Sequence, residues 1–227
     1  MGCELCPRRC GARRQEGQAG VCGARGLRAA RAGLHQWEEP CISGQRGSGA
    51  VFFSGCPLGC VFCQNYQISH EKEGMDLTAS QLARVFARLE EQGAHNINLV
   101  SPTPYVEEII EALELYRPHV PVVYNTSGYE RMETLRRIDP YVDIYLPDVK
   151  YVSPEISRKY SGVSDYFEMA SQALLFMLEK KPQAVFDEEG LMRRGVILRH
   201  LVLPGNLRQT YLLLDWMEEN IPKETYI

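Results

Sequence analysis

No cysteine occurs after residue 63 of this 227-residue chain, although its first 63 residues hold eight. An apolar run near the ~20 residues that a membrane-spanning helix needs is also missing, which argues against a membrane role. The opening MGCELCPRRC lacks the apolar stretch of a secretory signal, and Cys6 stands where an N-myristoylation motif requires Ser or Thr. A cytoplasmic protein is therefore expected, and there clustered cysteines serve metal or redox chemistry rather than disulfides. Internal repeats, low-complexity tracts and long flexible linkers are absent as well. The length suits one sizeable core with a small appendage.

What is present is unevenly spread. Residues 1–46 hold eight Arg against four acids, and the remainder holds 17 basic and 25 acidic residues. A basic, Cys-rich N-terminal metal-binding segment (1–46) is expected to precede an acidic core domain (47–227).

From residue 50 onward the pattern alternates strand and helix. AVFFSG (50–55) reads as a buried strand ending at Gly55. The next helix spans TASQLARVFARLEEQG, with Thr78 and Gln81 as a capping box, an apolar stripe of Leu82, Val85, Phe86 and Leu89, and Gly93 as its stop. Strands follow at 96–100, 121–125, 142–146 and 196–203, with helices opening at Thr103-Pro104, running through Arg137, over about 165–180 and over about 207–220. A hairpin turning at Glu189-Gly190 precedes the fifth of these strands. This alternation predicts an α/β fold with a parallel sheet, either open or barrel-shaped, whose ligands bind at the C-terminal strand ends. The closing KETYI begins a sixth strand, so the barrel is expected to be truncated there.

At the C-terminal end of the first strand stands SGCPLGCVFCQNYQIS, residues 54–69, with Cys56, Cys60 and Cys63 spaced Cys-x3-Cys-x2-Cys. Thiolates select zinc, copper(I) or iron–sulfur clusters. Structural zinc takes four ligands, commonly in two short-spaced pairs, so here it would need a distant fourth ligand such as His70. A cubane cluster held by three thiolates instead leaves one iron open to an outside ligand. Three buried cysteines with no metal are the remaining reading, and they are a poor way to fill a core.

With the aromatic Phe62 just before its third cysteine, the stretch resembles the motif of the radical S-adenosylmethionine (SAM) superfamily. Together with WEEPCISG and RHLVLPG, the chain is similar over nearly its whole length to an uncharacterised branch related to pyruvate formate-lyase activating enzymes. The resemblance implies a partial (β/α)6 barrel and a [4Fe-4S] cluster on Cys56, Cys60 and Cys63, whose open iron binds the amino and carboxylate groups of SAM. It further implies reductive cleavage of SAM to a 5′-deoxyadenosyl radical that takes hydrogen from a substrate. The substrate itself is not readable, and a protein substrate belongs to the activase reading. The electron would come from a low-potential flavodoxin- or ferredoxin-type donor. No side chain is singled out as catalytic, because the cofactors carry the chemistry.

The same resemblance places Phe62 near the adenine. It places Asn125 and Ser127 by the ribose or carboxylate, Asp148 and Lys150 as an Asp-x-Lys pair, and Arg199 on the fifth strand. The backbone at Pro204-Gly205 becomes an adenine contact. His200 alternates away from Arg199 and reads as a packed side chain. Where the family often carries Gly-Gly-Glu for the SAM amino group, this chain has SPTPY, leaving Ser101 and Thr103 as hydrogen-bonding substitutes.

Cys3, Cys6, Cys10 and Cys22 are spaced for a closed second site, zinc or an auxiliary iron–sulfur cluster. Arg8, Arg9, Arg13 and Arg14 would offset thiolate charge. They could also meet nucleic acid, but with no aromatic platform among them nucleic-acid binding is not expected. In the activating enzymes an extra cysteine cluster follows the radical motif, whereas here it precedes it. Cys41 has no partner at motif spacing and reads as a small buried residue. The expected function is a radical SAM enzyme. A glycyl-radical activase is the first alternative, and a non-catalytic zinc-binding or nucleic-acid-binding protein the second.

Overall fold

The structure, a computed structural model, describes residues 2–227. In chain order its elements are β1 (Arg28–His35), α1 (Pro40–Ser43), β2 (Ser48–Phe53), α2 (Tyr66–Ser69), β3 (Met75–Asp76), α3 (Ala79–Glu91), β4 (Ile97–Val100), α4 (Val106–Leu115), β5 (Val122–Thr126), α5 (Met132–Ile138), β6 (Ile144–Pro147), α6 (Pro154–Ser161), α7 (Tyr166–Lys180), β7 (Val185–Phe186), β8 (Met192–Val196) and α8 (Leu207–Asn220). The strands form one sheet in the order β3-β1-β2-β4-β5-β6-β8-β7. Strands β2, β4, β5, β6 and β8 run parallel, and the β1–β2 and β7–β8 pairs are antiparallel. This mixed α/β sheet, largely parallel, is consistent with a partial barrel.

Because the parallel strands are covered on both faces, they read as continuous apolar runs. Alternate residues then divide between two cores. Val51, Phe53, Leu99, Tyr124 and Leu198 face the helices in the main core, together with Leu82, Phe86 and Leu89 of α3. Val123, Ile144, Leu146 and Ile197 face the other way, onto Cys41 and Ile42 of α1. Helix α1 therefore lies on the inner face of the sheet, where Asn96 donates to the Ile42 carbonyl at 2.6 Å. Cys41 is buried there, as its sequence context suggests.

Capping at α3 matches the sequence reading: Gln81 N–H donates to Thr78 Oγ1 at 3.2 Å, and Thr78 N–H to Gln81 Oε1 at 2.7 Å. Two boundaries differ. Thr103–Tyr105 form a separate 3-10 turn, because Tyr105 (φ −127°) interrupts the helix and α4 proper starts at Val106. The fifth strand of the core begins earlier than expected, at Met192, because the hairpin at Glu189-Gly190 delivers the chain straight into the sheet. Past Val196 its pairing thins to isolated bridges, Arg199 with Asp148 and Ile197 with Tyr226, and Leu201 and Val202 turn outward. Tyr226, in the expected sixth strand, thus pairs parallel beside the fifth. No helix among the described residues is long and apolar enough to cross a membrane.

Candidate functional site

The three-cysteine loop leaves the C-terminal end of β2 through Gly55. That residue takes φ +80°, and any side chain on it would strike the Cys22 carbonyl. Glycine is what this turn and close approach require. Backbone hydrogen bonds then pin the loop to the end of α6: Gly59 N–H to Ser161 O at 3.3 Å and Val61 N–H to Tyr160 O at 2.9 Å. A turn from Cys63 N–H to Cys60 O (3.1 Å) draws the last two cysteines together.

All three thiols are free. Cys60 Sγ contacts Ser161 Oγ at 2.8 Å, and Ser69 Oγ donates to Cys63 Sγ at 3.2 Å. Cys56 Sγ accepts the Leu58 amide, yet burial pushes its pKa up to about 12, helped by the neighbouring Cys60 and Cys63. Burial likewise raises Cys60, against the Ser161 hydrogen bond and the charge of Lys150. Three adjacent soft donors are the set a metal centre would ionise, and Cys56 and Cys60 resist ionisation without one. A single tetrahedral ion with bonds of about 2.3 Å holds its sulfurs only about 3.8 Å apart. Among the described residues no three His, Cys, Asp or Glu side chains stand in such a group. His70 stands beside the loop, its ring stacked on Tyr66 at 4.4 Å and its Nδ1 on Ser69 Oγ at 2.8 Å.

Beside the loop, the inner face of the sheet carries a charged network. Asp148 Oδ2 accepts from Lys150 Nζ at 2.5 Å, and Oδ1 from Arg199 Nε at 3.0 Å. Burial alone would raise the Asp148 carboxyl, but Lys150 and Arg199 outweigh it and hold it below its ordinary range. Arg199 also donates to Asn125 Oδ1 (2.8 Å) and to Glu38 Oε1 (2.9 Å). Glu38 Oε2 accepts from Asn98 Nδ2 at 2.9 Å and Asn125 Nδ2 at 3.2 Å. The structure thus brings Asn125, Asp148, Lys150 and Arg199 into one network, with Lys150 in electrostatic reach of Cys60.

Phe62 packs edge-on against Tyr151 and Tyr160, beside the cysteines. Ser127 lends its carbonyl to the Tyr166 hydroxyl at 2.8 Å, and Pro204 is exposed on the rim, its carbonyl bonded by Asn206. A concavity of about 460 Å3, lined by Ser153, Ile156, Gly205 and Asn206 among others, opens next to it. Another of about 320 Å3 around Gly44, Arg46 and His95 lies at the opposite strand ends and contains no cysteine. His200 is packed, with its ring nitrogens on Val149 O and Thr210 Oγ1.

Thr103 does not reach the inner face. Its hydroxyl donates to the buried Glu130 at 2.6 Å, in a pocket shared with Tyr124 and Thr126. Ser101 is held at φ +58°, a left-handed conformation that costs a non-glycine residue about 1–2 kcal/mol. The residues that sequence reasoning missed are Glu38 and Asn98. Glu38 lies in the WEEP stretch, and an Asn among the apolar residues of strand β4 was the available signal for Asn98.

Cys3, Cys6, Cys10 and Cys22 are also gathered into one group. Cys10 and Cys3 are hydrogen-bonded, and the Sγ atoms of Cys10 and Cys22 flank Gly20.

Comparison with known proteins agrees with this geometry. The family model of the radical SAM superfamily matches residues 50–187. An uncharacterized protein of Methanocaldococcus jannaschii, MJ0674, is 28% identical over 229 residues, covering 96% of this chain. The chain spans only 62% of that relative's length. Among solved structures, SuiB of Streptococcus suis is similar with a TM-score of 0.52 at 15% identity, over 74% of this chain and 35% of SuiB. SuiB bound to its precursor peptide SuiA gives 0.52 at 14% identity, over 73% and 35%. At such identities the likeness is one of fold. The family match covers more than half of the sequence and contains the three-cysteine loop at the end of β2, and on that ground the chain belongs to the radical SAM superfamily.

Proposed function

We propose that this protein is a radical SAM enzyme whose Cys56, Cys60 and Cys63 hold a [4Fe-4S] cluster with one iron left for SAM. When bound, cluster and cofactor supply one-electron cleavage of the sulfonium and a 5′-deoxyadenosyl radical for hydrogen abstraction. The observation that carries the reading is the group of three free thiols on one loop, with a charged network alongside.

The chain's own part is to bind, orient and exclude water. Lys150 supplies positive charge near Cys60 and suits the carboxylate of SAM, while Asp148 and Arg199 fix its position. Asn125 and Ser127 would meet the ribose or carboxylate, and Phe62 and the backbone at Pro204 the adenine. Tyr151, Tyr160 and Tyr166 wall the loop with apolar surface, which suits a radical that water must not reach. The electron would come from a flavodoxin- or ferredoxin-type donor. The Asp148-x-Lys150 pair also favours a second reading, a glycyl-radical activase with a protein substrate.

Anaerobic reconstitution with iron and sulfide, followed by assay of 5′-deoxyadenosine from SAM and dithionite, tests the proposal. Cys60→Ser should abolish product. A Cys60→Ser protein that forms 5′-deoxyadenosine at the wild-type rate would show that these cysteines are misassigned.

A further inference from the structure

We infer that Cys3, Cys6, Cys10 and Cys22 form a second, closed thiolate site for an iron–sulfur cluster, which fastens residues 2–24 to the loop of the first site; their sulfurs are not drawn together as closely as one zinc ion would need. Four independent features point there. The first is a repeated turn in which a cysteine sulfur accepts an amide two residues on. Leu5 N–H donates to Cys3, Arg8 N–H to Cys6 and Ala12 N–H to Cys10, and Cys10 also accepts Val21 N–H. Amides aimed at sulfur stabilise the anionic, metal-bound thiolate and set its direction.

The second feature is space. Gly20 has no side chain, and a Cβ there would stand 3.3 Å from Cys10 Sγ and 3.4 Å from Cys22 Sγ. The gap between those sulfurs is kept open by the residue type. The third is charge: the Arg14 guanidinium reaches Cys22 Sγ at 3.5 Å, bonds Pro104 O and lies over Tyr105, while its buried Nε finds no partner among the described residues. A cation in that position offsets the negative charge of four thiolates, and neutral disulfides would give it nothing to balance.

The fourth feature is what the segment grips. Arg8 donates to Pro57 O at 2.9 Å and Gly162 O at 3.2 Å, so it clasps both the three-cysteine loop and the end of α6. Arg131 donates to Glu4 O at 2.7 Å, and Thr134 to Leu5 O at 2.7 Å. The Cys22 carbonyl occupies the space that a Gly55 side chain would need, one residue before Cys56. With no regular secondary structure in residues 2–24 beyond one 3-10 turn, a metal is the cross-link that would hold these contacts in register.

The inference stands apart from the role of the other three cysteines, so its test removes them. The chain carrying Cys56→Ala, Cys60→Ala and Cys63→Ala is purified without oxygen and analysed for zinc, iron and acid-labile sulfide. Retention of about one iron–sulfur cluster per chain is expected, with loss on adding Cys10→Ser and Cys22→Ser. Iron with sulfide supports the inference, and zinc without sulfide would overturn it. Should the triple variant not fold, wild-type protein and Cys22→Ser are compared, and the variant should lack one site's worth of metal and be cleaved by trypsin faster within residues 2–24. Metal-free protein in which Cys3, Cys6, Cys10 and Cys22 are all free to alkylation, or with disulfides found by mass spectrometry, would overturn the inference.

Discussion

Glu130 is a buried carboxyl facing three hydroxyls, those of Thr103, Tyr124 and Thr126, all directed at Oε1. Oε2 is buried without a partner among the described residues. Burial raises its pKa from 4.5 to about 7, against the hydroxyl donors that favour the anion. A carboxyl whose folded pKa exceeds the unfolded one stabilises the fold fully below about 4.5, and that contribution is lost as pH rises toward 7. Across that window the loss is on the order of 3 kcal/mol. Glu130→Gln has no proton to release, so its stability should fall less than wild type between pH 4.5 and 7.5. Urea denaturation across that range checks this, and parallel profiles for the two proteins would refute it.

Among the elements, those with local signals were legible and those defined by tertiary contact were not. Helix α3 announces itself through Thr78, Gln81 and a one-sided apolar stripe, and the structure has all three. Helix α6 carries Ser153-Pro154 at its start and Gly162 at its end, signals that went unread because only a short polar segment lies between them. Strand β1, RAARAGLH, has few β-formers and exists because β2 offers it an edge. The WEEP strap gives no local hint that it enters the inner face of the sheet, where Glu38 joins Arg199, Asn98 and Asn125. Glu38→Ala would leave two side-chain amides and one Arg199 N–H without their acceptor, while Arg199 keeps its bond to Asp148. It should cost about 2–4 kcal/mol in chemical denaturation and weaken SAM binding in calorimetry about tenfold, corresponding to about 1.4 kcal/mol. Glu38→Gln, which keeps an acceptor oxygen, should recover part of both. Unchanged stability and affinity in the alanine variant would mean that the strap only fills space.

Across the whole molecule, two groups of cysteines meet at Gly55, one with three thiols and one with four. On the readings above, the four-cysteine site is coordinatively closed and has no position for SAM, whereas the three-cysteine site keeps one. Adding SAM to the reduced, reconstituted protein should therefore perturb the EPR spectrum of one centre only. Cys63→Ser should remove that response while the metal bound by Cys3, Cys6, Cys10 and Cys22 remains, because the hydrogen bonds of Cys63 run to Cys60 and Ser69 within its own loop. The contacts of the N-terminal segment run instead through Arg8 to Pro57 and Gly162, and from Arg131 and Thr134 to the backbone of Glu4 and Leu5. Anaerobic EPR with and without SAM, paired with metal analysis of the same samples, separates the two sites. A SAM-dependent signal that survives Cys63→Ser would relocate SAM binding to the N-terminal group. Loss of both metals in that variant would instead show that the two sites fold as one unit, joined through Cys22 and Gly55.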